Sequence, residues 1–67
     1  MKEKIQAIVD NFGFGISVKE LADKVYWHLA QAGEHPCIVN DRYIGVNGAT
    51  YQLIKSKAKG HWTVKEI

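Results

Sequence analysis

The sequence predicts an α+β fold. Two N-terminal helices pack on one face of a three- to four-stranded antiparallel meander, in the order ααββββ. Three observations carry this expectation. Apolar residues recur at helical spacing through the first half of the chain. Turn residues then divide Cys37 to Ile67 into short segments, at Asn40-Asp41, Asn47-Gly48 and Lys57-Ala58-Lys59-Gly60. Between those turns lie runs of β-branched and aromatic residues, which suit a pleated, half-buried surface.

The helices come first. Ile5, Ile8, Val9 and Phe12 follow the i, i+3, i+4, i+7 spacing of one apolar face, which predicts a helix over about 3–12. Gly13 and Gly15 are expected to end it through the positive φ that a C-terminal cap uses. Phe14, between them, is expected under the loop. A second helix is predicted over about 18–32. Ser17 followed by Glu20 fits a capping box, and Ile16 with Leu21 fits the accompanying hydrophobic staple. Its inward arc is Val18, Leu21, Ala22, Val25, Leu29 and Ala32; Gly33 and Pro36 stop it. At about 100° per residue, Trp27 points away from that arc, among Glu20, Asp23, Lys24 and Gln31.

Strands are expected over about 37–39, 42–46, 49–56 and 61–66. Asn47-Gly48 is the strongest short-range hairpin signal. It pairs Val46 with Ala49, Ile44 with Tyr51 and Arg42 with Leu53. A four-residue loop at 57–60 then pairs Leu53 with Val64 and Lys55 with Trp62. Paired residues share a face, so Ile44, Val46, Ala49, Tyr51, Leu53, Trp62 and Val64 collect on one side, for the helices. Taking Asn40-Asp41 as a two-residue turn adds Cys37 and Val39 to that side. The opposite face then holds Ile38, Tyr43, Gly45, Thr50, Gln52, Ile54, Thr63 and Lys65, with Ile38, Tyr43 and Ile54 forming a patch that no part of the chain covers.

Composition bounds the function. The 67 residues make one domain, with a marginal core. Cys37 is the only cysteine, so no internal disulfide forms and a cytoplasmic location is expected. The N-terminal apolar stretch is too short and too charged for a signal peptide or membrane span. The net charge of +2 is unevenly spread: residues 1–36 carry −1 and residues 37–67 carry +3.

Two functional readings follow. The first is a small non-enzymatic protein-binding or regulatory module, an accessory or inhibitor-type protein of the size carried by phages and mobile elements. It acts by docking a protein partner or its own copy through Trp27, Ile38, Tyr43 and Ile54, since exposed apolar clusters mark interaction surfaces. The second is nucleic-acid binding through Arg42, Lys55, Lys57, Lys59 and His61, where clustered lysines at a hairpin can neutralise phosphates. The plainer reading of that hairpin is a solvated turn whose lysines protect a strand edge.

Other chemistries are disfavoured. Ile16 to Val25 resembles the opening helix of a helix-turn-helix, but that motif needs a recognition helix directly after it, and here strands follow. His35-Pro36-Cys37 lacks the C-x-x-C or H-x-x-x-H companion of a zinc site, so no metal or cofactor is expected. Gly13-Phe14-Gly15 is a lone G-x-G, explained by the end of one helix before another. No catalytic residue or small-molecule substrate is predicted.

Overall fold

The structure is a computed structural model that describes residues 1–55 and 62–67. Helices α1 (Lys2–Phe12) and α2 (Val18–Gln31) precede strands β1 (Cys37–Asn40), β2 (Tyr43–Val46), β3 (Ala49–Lys55) and β4 (Trp62–Glu66). The strands form one antiparallel sheet in the order β1-β2-β3-β4. The two helices cover a single face, α1 against β4 and α2 against β1 and β2. This is the α+β arrangement that periodicity and turn spacing predict.

Register follows the turns. Asn47 (φ 54) and Gly48 (φ 77) both adopt the left-handed conformation that a tight two-residue hairpin demands. Val46 then pairs with Ala49 and Ile44 with Tyr51. Across the next pair Leu53 opposes Val64 and Lys55 opposes Trp62. These are the registers expected from sequence. They place Ile44, Val46, Tyr51, Leu53, Trp62 and Val64 in the core with Ile5, Val9, Leu21, Ala22, Val25 and Leu29.

The first hairpin departs from expectation. Its two-residue turn is Asp41-Arg42, closed by Asn40 against Tyr43, and an irregularity between Ile38 and Asn40 shifts the ladder. Cys37 therefore pairs with Gly45 and Ile38 with Ile44. That reverses the faces of β1: Ile38 turns to the helix side, while Cys37 and Val39 turn outward. The reason is Gly45. A Cβ there would lie 3.1 Å from Cys37 Sγ and 3.2 Å from Val39 Cγ2, so both side chains close over a position that only glycine leaves empty. All four β1 residues are exposed.

The helix ends carry their own corrections. Gly13 has φ −87, so it does not close α1 by a left-handed cap. Glycine is needed there for room, because a Cβ would sit 2.5 Å from the Val9 carbonyl oxygen and 3.2 Å from Trp62 Cδ1. Phe14 is 63% exposed rather than tucked under the loop. At α2 the Glu20 N–H donates to Ser17 Oγ at 3.2 Å, but the Glu20 carboxylate accepts from the Ser17 hydroxyl at 3.3 Å, so the box closes only half-way. Gly33 (φ 88) ends α2 in a Schellman motif: its N–H reaches the Ala30 carbonyl, and the Glu34 N–H reaches the Leu29 carbonyl.

One side chain joins the layers at the β4 edge. Gln6 of α1 accepts from the Val64 N–H at 3.0 Å and donates to the Trp62 carbonyl at 3.3 Å, with a further bond to Asp10 Oδ1 at 2.9 Å. A carboxamide thus takes the place of a neighbouring strand on β4. Replacing Gln6 with Met keeps the volume and strands two part-buried backbone groups, so Q6M should lose about 1–3 kcal/mol. Urea unfolding followed by circular dichroism measures it, and an unchanged midpoint would show that water replaces the amide freely.

Candidate functional site

The sequence-predicted partner-binding residues do not form one surface. Tyr43 pairs with Gln52, and Ile54 with Thr63, on the outer face of the sheet. Trp27 lies on the opposite layer, on the side of α2 that faces away from the sheet, and is 63% exposed. Tyr26 lies edge-on to it at 6.0 Å between ring centroids. Ile38 belongs to neither group as expected. Its pairing with buried Ile44 turns it to the helix side at the free edge of β1, where it stays 42% exposed.

Val39 takes the place on the outer face that sequence spacing assigns to Ile38. It is 59% exposed and lies over Gly45, on the face Gly45 shares with Tyr43. From Tyr43 the strip runs diagonally to Ile54 on β3, a relation that spans roughly 7 Å in antiparallel sheets. Cys37 is exposed beside Val39. The rest of the face is Thr50, Gln52, Thr63 and Lys65, and Ile67 joins it through its N–H to the Thr50 carbonyl at 2.8 Å. Among the described residues of this face there is no acidic side chain. The signal that could have found Val39 is Gly45, since a glycine inside a strand marks a bulge or close approach.

Arg42 and Lys55 are exposed at one end of the sheet, Arg42 in the first turn and Lys55 opposite Trp62. The Leu53 N–H donates to the Arg42 carbonyl at 2.8 Å, which puts the two cations at the same end. Lys57, Lys59 and His61 lie outside the described residues. The other histidines are separate: His28 stacks on Phe12 with centroids 4.5 Å apart, Lys24 Nζ lies 5.9 Å over the Phe12 ring, and His35 is exposed in the loop before β1.

The opposite end of the sheet carries an electrostatic clasp that sequence spacing does not reveal. Glu34, held in place by the Schellman turn, accepts from Asn47 Nδ2 at 3.2 Å and from Lys4 Nζ at 3.4 Å. It ties α1, the exit of α2 and the tip of the second hairpin together. These hydrogen bonds, from Asn47 first and then Lys4, hold its carboxyl below the ordinary glutamate value.

No protein-family model, no curated protein and no solved structure matches the chain.

The clasp makes a pH prediction. A carboxyl whose folded pKa is depressed contributes stability that is present above its unfolded pKa and lost as pH falls through the folded one. Titration from about pH 5 to about pH 3 should therefore destabilise the parent more than E34Q, measured as urea midpoints. Parallel declines for the two proteins would remove Glu34 from the acid response.

Proposed function

We propose that this chain is a small non-enzymatic protein-binding module, of an accessory or regulatory kind, that docks a protein partner on the outer face of its sheet. The observation that carries the reading is the Val39, Tyr43, Ile54 strip. Three apolar side chains from three strands lie on a face that neither helix covers, in a chain with little apolar surface to spare. Folding alone has no use for that arrangement. Apolar residues on the outer face of a two-layer α/β sandwich add nothing to the core, and polar residues there would be more soluble.

The chemistry of the face supports a protein partner over a small ligand. It has no cavity among the described residues, it mixes one aromatic and two branched aliphatic side chains with Thr and Gln, and Lys65 is its one charged side chain there. Such a composition resembles an interface centre with a polar rim. The edges offer less, because Gln6 occupies β4 and a shifted ladder after Pro36 twists β1. The same reading puts the protein in the cytoplasm, where a lone exposed thiol stays reduced. No helix among the described residues is long and apolar enough to cross a membrane.

The test begins with capture from a lysate of the source organism, with and without nuclease, followed by calorimetry on the purified partner. Tyr43→Ala and Ile54→Ala should each weaken binding by about 2 kcal/mol if they are central anchors. Equal affinity in parent and both variants would end the reading. Capture that vanishes with nuclease, falls steeply with salt and is lost in a variant with Lys57 and Lys59 changed to Glu would favour the basic 55–61 hairpin and nucleic acid instead.

A further inference from the structure

We propose that the free edge of β1 pairs with the β1 edge of a second copy of this chain, antiparallel across a two-fold axis. This surface is separate from the docking face, and the argument for it does not depend on that reading.

The two edges of the sheet are not equivalent. On β4 the Gln6 amide occupies the outward Val64 N–H and Trp62 carbonyl, and α1 lies over the strand. On β1 every residue is exposed and none is charged. Apolar side chains flank this edge on both layers. Val39 stands 59% exposed on the outer layer and Ile38 42% exposed on the helix layer. The helix above Ile38 is α2, which packs on β1 and β2. Pairing two β1 edges brings two copies of α2 to flank the axis and gives Ile38 an apolar neighbour in its own copy.

The edge is complementary to itself. An antiparallel pairing centred on Ile38 sets Ile38 against its own copy and Cys37 against Val39 of the other. It also brings the Glu34-His35 entry of each copy beside the Asp41-Arg42 turn of the other. Glu34 of each copy then lies toward the Arg42 end of the other, so residues of opposite charge meet at both ends of the strand contact. An arbitrary partner strand has no reason to match this order of charges. A second copy matches it by symmetry.

Size and edge geometry decide the form of the assembly. Even a weak association buries about 600 Å² per copy, roughly one-seventh of the 4324 Å² surface of the chain. Four strand residues supply only part of that, so the flank of α2 above Ile38 has to contribute. Pro36, which has no N–H to donate, and the shifted ladder limit the strand contact to a few residues. Because Gln6 closes the far edge, addition stops at two copies and does not run on into a fibre.

Sedimentation velocity on the purified full chain, from about 1 to about 500 μM, tests the proposal. The expected result is a monomer–dimer equilibrium with nothing larger. Ile38→Asp and Val39→Lys, both at exposed positions, should each raise the dissociation constant more than about tenfold. Trp27→Ala, on the side of α2 away from the sheet, should leave it unchanged. Tyr43→Ala and Ile54→Ala should leave it unchanged, which separates this edge from the docking face. Circular dichroism establishes that each variant is folded, and if Ile38→Asp fails to fold then Val39→Lys decides. A monomer at the highest concentration, a species beyond the dimer, or a dimer lost in Tyr43→Ala and kept in both edge variants overturns the proposal.

Discussion

The left-handed pair Asn47 and Gly48 is the constraint on which the rest of the structure depends. Two adjacent residues at positive φ are tolerated only by a few residue types, and Asn-Gly is the commonest such pair. Once that turn closes Val46 against Ala49, the period of two in the strands leaves no choice about faces. Ile44, Tyr51 and Leu53 go inward, and β3 imposes the same parity on Trp62 and Val64. A slip of one residue would expose all of them. At about 2 kcal/mol for each large side chain, that loss would exceed the whole stability expected of so small a domain.

The helices then attach where the sheet offers partners. Trp62 presents its ring edge to Gly13 at the end of α1, and Gln6, about two turns earlier, takes up the free backbone groups of β4. Close packing at one point and hydrogen bonding at another hold α1 in both rotation and height. Helix α2 is fixed differently. Its buried Leu21, Val25 and Leu29 lie on the sheet, and the turn at Gly33 delivers Glu34 to Asn47. The hairpin tip that sets the register is thus the one that the clasp secures.

The fold was legible because its signals are local and redundant. Helical spacing, a capping serine and an Asn-Gly turn each point to the same arrangement, and a wrong reading of one is corrected by the others. The departures share a different cause. Gly13 and Gly45 are glycines for lack of space, and the groups that take the space, Trp62 and the Cys37–Val39 pair, come from elsewhere in the chain or across a strand pair. Spacing along the sequence carries no trace of such contacts. The site suffered most from this, since one shifted ladder moved Ile38 to the helix layer and put Val39 beside Tyr43 on the outer face. Tyr43 and Ile54 fall on the expected face because the Asn47-Gly48 turn sets the parity of both their strands. The Glu34 clasp was invisible for the same reason as the glycine contacts: it joins residues 13 and 30 positions apart.

The positions of the exposed apolar residues bear on how a domain of this size holds together. Among the described residues twelve buried hydrophobic side chains form the core, yet Trp27, Ile38, Val39 and Ile54 are among those that remain outside it. Val39 and Ile54 span one sheet face, and Ile38 stands at the free edge of the same sheet. On the proposed edge pairing, the two outer faces become one continuous surface across eight strands, carrying two copies of the Tyr43 and Ile54 strip. A partner with two matching sites, or with one long one, then gains from both copies at once, so modest contacts on a single face add up through effective concentration. The edge and the face are physically distinct, but the edge determines how much of the face any partner can meet.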